Sequence, residues 1–200
     1  MKILGRGWQY TTYDIGNGRV LKKYNSFLVA YAVMLNACVK SDRLSIFKIP
    51  QYHRGCKEFA RSSLKKATSG LLDSWMVGNP KPLNELDYEQ DKLIPLHERI
   101  NGISLEKAKG YIDRFVDFNK TLLERGLIDK SFNITKNFGI DSEGRIVLMD
   151  LGELHSEKLA IEKQRRKRMW TYPYVVNCIL DEEVRAYYVQ RMDESFGLAA

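Results

Sequence analysis

The sequence predicts an α+β protein with a β-rich N-terminal part and a mainly helical C-terminal part. Three observations carry that prediction. Residues 10–24 form two extended runs around a Gly-Asn-Gly turn signal. Residues 104–125 hold apolar side chains at helical spacing. A single short hairpin pattern at 137–152 then separates that helix from a helical C-terminal stretch. Strands first and helices later is the order expected of an α+β domain.

Tyr10 to Ile15 is rich in Thr and Tyr, and Arg19 to Tyr24 resumes extended structure after the turn at 16–18. Ser26 to Val39 is apolar and long enough for a buried helix, with Ser26 as its cap. Gly55 to Leu72 reads as a second, more polar helix. Gly78 to Pro82 is a break, and Tyr88 to Leu96 is one strand running into a bend at its Pro. Ser104 to Arg125 is the clearest helix: Leu105, Ala108, Ile112, Phe115 and Leu122 share a face, and Gly126 sits where a helix stops. Phe138–Ile140 and Ile146–Met149 make the hairpin, with Asp141 to Gly144 as its turn. Helices are expected over Glu157 to Arg168 and Asp181 to Phe196.

Composition narrows the class of protein. The 200 residues are 44% hydrophobic and 28% charged, a normal soluble balance. No apolar run reaches the length of a membrane span, and the apolar part of the N-terminus is too short for a signal peptide. Cys38, Cys56 and Cys178 are an odd number at wide spacing, which argues against disulfides and zinc and for a reducing cytoplasm. His53, His97 and His155 have no metal spacing. The net charge of +7 fits an anionic partner, and part of it is local: Lys163 to Arg168 is a basic run followed by Trp170, Tyr172 and Tyr174. Basic and aromatic residues together can stack on single-stranded nucleic acid. Here they span one segment and Pro173 marks a core-packing loop, so nucleic acid is not the partner expected.

Two places carry residues suited to chemistry. Gly5-x-Gly7 before a strand hairpin lets backbone N–H groups approach phosphates, and the hairpin context argues against a Walker loop or a dinucleotide fingerprint. On the strand that follows, Val20 and Lys22 share a face, an apolar floor beside a cation. Further on, a hairpin brings its two ends together, so Asn137 and Asp150 should lie close. Their oxygens suit a hard cation such as Mg²⁺ completed by phosphate oxygens and water.

These pieces resemble the protein-kinase-like superfamily, in the form of a minimal, atypical bacterial or viral member. "GRGWQY" at 5–10 is similar to the Gly-rich loop, "VLK" at 20–22 to the strand bearing the phosphate-binding Lys, and "NFGIDSEGRIVLMDLG" at 137–152 to the stretch from the catalytic-loop Asn to the Asp-Phe-Gly metal motif, with Leu151 in place of Phe. The resemblance covers roughly residues 1–155. It implies a two-lobed fold, with a β-rich lobe over 1–98 and a reduced, mainly helical lobe over 99–200. It also implies ATP in the cleft: Gly5, Gly7, Val20 and Lys22 would contact the nucleotide, and Asn137 and Asp150 would bind both ATP and Mg²⁺.

The sequence departs from the family pattern in four ways. Tyr10 stands at the third glycine of the loop. The His-Arg-Asp motif is absent, and its usual spacing puts the catalytic Asp at Phe132, so the nearest acid, Asp129, is the expected base, with Asn133 beside it and Lys130 or Lys136 as the loop lysine. No Glu follows on the helix after Lys22, and Glu58 is the substitute. Only 48 residues follow Gly152, without an Ala-Pro-Glu motif. Two functions follow as expectations. One is an ATP- and Mg-dependent phosphotransferase, an atypical Ser/Thr kinase acting on a protein, cytoplasmic or delivered to a host cytosol. The other is a pseudokinase that binds nucleotide or an activating protein partner as a scaffold. Transfer of a nucleotidyl group is a third outcome.

Overall fold

The computed structural model describes residues 1–40, 49–129 and 132–197, and it is an α+β protein with a β-rich N-terminal sheet and a helical C-terminal part. The sheet is antiparallel and five-stranded in the order β1-β2-β3-β5-β4. Its strands are β1 (Lys2–Arg6), β2 (Tyr10–Gly16), β3 (Arg19–Tyr24), β4 (Lys81–Pro82) and β5 (Tyr88–Asp91). The turn between β2 and β3 places Gly16, Asn17 and Gly18 all at positive φ, a conformation that Gly and Asn adopt at least expense. The unforeseen strand β1 is exposed at every residue, so it lacks the alternation of burial that marks a strand in sequence. It is an edge strand, as is β4, where Pro82 needs no ladder partner for its nitrogen.

Two helices follow β3. The first, α1 (Phe27–Lys40), buries Ala30 and Met34 on one face. The second, α2 (Ile49–Ala67), buries Ala60, Ser63, Leu64 and Ala67, the spacing of a helical stripe. The expected start at Gly55 was too late. A mid-helix Gly costs only about 1 kcal/mol against Ala, and burial of Ile49 and of that stripe outweighs it. The expected strand over 88–96 divides into β5 and β6 (Ile94–Pro95), which belong to different sheets.

The C-terminal part is built on α4 (Leu105–Glu124), entered through the short α3 (Leu96–Ile100). Ala108, Ile112, Phe115 and Leu122 are buried as their spacing requires, and Gly126 ends the helix at φ +71. A strand β7 (Ile128–Asp129) leads to the hairpin β8 (Phe138–Ile140) and β9 (Ile146–Leu148), which joins β6 in a three-stranded sheet. Asp141 shapes the hairpin turn by accepting from the N–H groups of Glu143 and Arg145, both at 2.9 Å. After it come β10 (Leu154–His155), paired with β7, then α5 (Lys158–Arg166), α6 (Pro173–Val176) and α7 (Glu182–Phe196). Asp181 caps α7 by accepting from Glu183 and Val184 N–H.

One hydrophobic core runs through both parts. It joins Tyr10, Leu64, Met76 and Tyr88 to Phe115, Phe138, Leu151 and Trp170. One link between the two parts is α2, which lies on the Leu151–Glu153 turn: Ser63 Oγ donates to the Leu154 carbonyl at 3.2 Å, and the Phe59 and His155 rings pack at a tilt, 4.3 Å apart. No helix among the described residues is long and apolar enough to cross a membrane.

Candidate functional site

Strand alternation on β3 works as its sequence predicts. Val20 and Lys22 point into the interior at 5% and 7% exposure, while Lys23 is exposed. Burial pulls the Lys22 ammonium below the ordinary lysine range, and the field of Asp150 opposes that pull. Lys22 and Asp150, from opposite ends of the chain's working stretch, therefore share one locale. Glu58 does not join them: it is exposed on α2, and the carboxylate whose field reaches Lys22 is Asp150.

The hairpin brings Asn137 and Asp150 together. The register pairs Phe138 with Leu148, and one step beyond it the Asn137 carbonyl accepts from both Met149 N–H at 2.6 Å and Asp150 N–H at 3.2 Å. Asp150 then accepts from Gly152 N–H at 3.0 Å, which winds Leu151–Glu153 into a 3₁₀ turn. That turn swings Glu153 back to Asn137, whose Nδ2 donates to Glu153 Oε2 at 3.2 Å. The same Nδ2 donates to Asp129 Oδ1 at 2.7 Å. With both amide hydrogens directed at carboxylates, the Asn137 Oδ1 is oriented as an acceptor.

Asp129 sits at the end of β7 and is wholly buried, at 0% exposure. Its second oxygen accepts from Asn133 N–H at 3.0 Å. Burial first, and the nearby Glu153 carboxylate second, push its acid up to about 7. A side chain so enclosed meets a substrate only through another group, so the sequence expectation of direct contact with a hydroxyl needs revision. Asn133 organises the loop itself, its Oδ1 accepting from Thr135 N–H, Thr135 Oγ1 and Lys136 N–H. Lys136 is exposed, and Lys130 lies outside the described residues, as does the side chain of Cys38. Phe132, where the kinase-like resemblance expects an Asp, is a core residue. It takes φ +49 and packs its ring on Trp170 at 5.5 Å and Phe196 at 5.2 Å.

The N-terminal loop closes over this site in an unexpected way. Gly5 lies within β1 rather than in the turn, and only Gly7 turns the chain, its N–H bonding to the Tyr10 carbonyl at 2.8 Å. Asn25 braces the turn by donating to the Gly7 carbonyl at 2.8 Å. Gln9 reaches across to the turn after Asp150, with Nε2 donating to the Gly152 carbonyl at 3.3 Å. A Cβ at Gly152 would fall 1.9 Å from Gln9 Oε1, so only glycine admits this approach. Tyr10 is turned inward at 5% exposure and meets Tyr24 and Tyr88 edge to face, each at 5.5 Å. It neither covers an outer surface nor leaves the loop open.

Two polar side chains that sequence reading passed over also face this interior. On β5, Tyr88 and Gln90 are both fully buried. Gln90 Nε2 ties Val77 O at 2.8 Å to Leu148 O at 3.0 Å, bridging the two sheets. Its Oε1 has no hydrogen-bond partner among the described residues. The Tyr88 hydroxyl lies toward the Leu151 N–H and the Asp150 carboxylate without closing a hydrogen bond. The alternation in "YEQD" was the available signal, since it puts a Tyr and a Gln on the inward face of a strand.

The basic run is partly structural. Arg165 donates to the Phe196 carbonyl at 2.9 Å and Arg168 pairs with Asp193, which also accepts from Trp170 Nε1 at 2.9 Å. Trp170 is fully buried, so the aromatic cluster is core packing at that residue, while Lys163, Arg166 and Lys167 are exposed.

No family model and no curated protein sequence matches the chain. Among solved structures it is similar to Rv3197 from Mycobacterium tuberculosis, in a complex with erythromycin, at 14% sequence identity and a TM-score of 0.47. The alignment covers 77% of this chain and 45% of that one, so the chain spans less than half the length of Rv3197. A similarity of that size assigns neither fold family nor function.

Proposed function

We propose that this chain is an ATP- and Mg-dependent phosphotransferase of reduced, two-lobed protein-kinase-like form, acting on a protein hydroxyl. The observation that carries the reading is the convergence of Lys22 with Asp150 and Asn137, three groups from separate elements. A buried lysine in the field of a carboxylate is set to hold a phosphate once a divalent cation on that carboxylate offsets its charge. The buried oxygens of Tyr88 and Gln90, unpartnered among the described residues, support a ligand in the same interior, because such atoms are rare without one or a water.

The donor set fits a hard cation. Asn137 Oδ1 and the Asp150 carboxylate would hold Mg²⁺, which when bound neutralises phosphate charge and polarises the transferring group. Lys22 steadies the α- and β-phosphates. Asp129 positions Asn137 through the 2.7 Å hydrogen bond. Glu153, half-buried and held by the same amide, is the carboxylate that can meet the proton of an incoming hydroxyl. Phosphoryl transfer relies mainly on positioning and charge neutralisation, so this short list suffices.

A specific contact favours a second reading. The Gln9–Gly152 hydrogen bond holds the N-terminal loop down on the metal motif, the posture of a scaffold that does not turn over. Incubation with Mg²⁺ and either γ- or α-labelled ATP, with a mixed protein extract as acceptor, separates the readings. The kinase reading expects γ-label on protein and its loss in Asp150→Ala. An ATP-induced thermal shift without transfer of either label supports the scaffold. Transfer of α-label instead means nucleotidyl transfer. No shift and no transfer would overturn the nucleotide reading altogether.

A further inference from the structure

The N-terminal sheet carries a second concavity on the side to which Lys23 points, away from Val20 and Lys22. It is a groove of about 680 Å³, within the roughly 300–1,000 Å³ typical of ligand sites. Its walls come from β1, β2, β3, the starts of α1 and α2, and the turn before β5. Three cations border it: Arg6, Lys23 and Lys57. All three are exposed, and none has an ion-pair partner among the described residues. The contrast with their neighbours is informative. Arg19, Arg61 and Lys92, in the same part of the chain, each hold a carboxylate. The acid on the groove wall, Asp87, is already spent: one oxygen accepts from Tyr24 N–H at 2.7 Å and the other from Asn84 at 3.0 Å.

The floor is aromatic. Phe27 is 43% exposed and meets His53 edge to face at 5.4 Å, and His53 in turn lies 5.9 Å from Tyr24. Leu28 and Tyr52, on the same two helices as Phe27 and His53, are also exposed. We propose that this groove docks an acidic segment of a partner protein, with an aromatic or aliphatic side chain seated on Phe27 and His53 and flanking carboxylates meeting Arg6, Lys23 and Lys57. Charge complementarity selects an anionic occupant. The exposed Phe27 ring beside three separate cations selects a polypeptide over a small anion, because only a polypeptide brings an apolar side chain and several carboxylates together. This proposal is independent of any activity at the Lys22–Asp150 site.

The test is fluorescence anisotropy with a labelled peptide of sequence EEDFEEL against the whole chain, compared with KKDFKKL, with EEDGEEL and with an oligothymidylate of similar length. The expected result is saturable binding of EEDFEEL that weakens with salt, and weaker binding of both other peptides. Each of Lys23→Glu and Lys57→Glu is expected to weaken it about fivefold and the double variant at least about twentyfold. Phe27→Ala is expected to weaken it as well. Arg166→Glu/Lys167→Glu, a pair of equal charge change on the basic run, should leave it unchanged. All sites substituted are exposed, and circular dichroism confirms that each variant is folded. Absence of saturable binding, equal loss in the Arg166/Lys167 variant, or tighter binding of the oligothymidylate would each overturn the proposal.

Discussion

Asn137 donates its side-chain amide to the fully buried Asp129, eight positions earlier in the chain, at 2.7 Å. That one bond ties the strand that ends at Asp129 to the hairpin that presents Asp150. Replacing Asn137 by Leu removes the donor and leaves the carboxylate enclosed. The expected loss of stability is about 1–3 kcal/mol, read from urea unfolding without ligand. Any Mg-dependent thermal shift with ATP should vanish in the same variant. Retention of that shift would remove Asn137 from the proposed metal set.

The burial of Asp129 gives stability a pH dependence of defined sign. Its acid rises from the ordinary carboxylate value of 3.8 to about 7 on folding, so the folded state binds the proton more tightly. The stabilisation is full below about pH 4 and is lost as pH rises through about 7. In metal-free buffer the melting temperature should therefore fall between about pH 4 and pH 7. The Asp129→Asn variant should show a smaller fall over that window. Parallel curves for parent and variant would mean that the titration belongs elsewhere.

Lys22 separates stability from function. Its ammonium is held against burial, so Lys22→Met, similar in length and uncharged, should unfold at higher urea, by about 1 kcal/mol. The same variant should lose its ATP-induced thermal shift. A variant that is both less stable and still responsive to ATP would assign Lys22 to the core alone.

Gln9 and Gly152 should be energetically coupled. A Cβ at position 152 collides with Gln9 Oε1, so Gly152→Ala displaces that side chain. In a double-mutant cycle, Gly152→Ala should cost less in the Gln9→Ala background than in the parent, with a coupling on the order of 1 kcal/mol. If the loop contact holds the site shut, Gln9→Ala alone should also tighten apparent ATP binding. Additive effects on stability would show that the contact does not constrain the loop.

Local pattern accounted for much of the architecture. The β2–β3 hairpin, α4 with its Gly126 stop, the β8–β9 hairpin and the cap of α7 all rest on periodicity or turn chemistry within a few residues. The elements that were missed or displaced are those without a local signature. The exposed edge strand β1 has no buried face, and the start of α2 depends on where Ile49 is buried. The Lys22, Asn137 and Asp150 positions were legible because strand alternation and hairpin closure are local geometry. The environment of Asp129 was not, since its enclosure comes from β10 pairing alongside and from Asn137 folding back over it.

By itself, then, the order of residues determined the fold class, the facing of Lys22 and the meeting of Asn137 with Asp150, because each follows from backbone periods of two or 3.6 residues acting over short spans. The tertiary structure alone decided the rest. It set Lys22 in the field of Asp150 and left Glu58 exposed, buried Asp129, laid Gln9 on Gly152 and left Arg6, Lys23 and Lys57 around one groove without ion-pair partners among the described residues. Those outcomes depend on desolvation and on contacts between segments far apart in the chain, and both exist only once the core has closed.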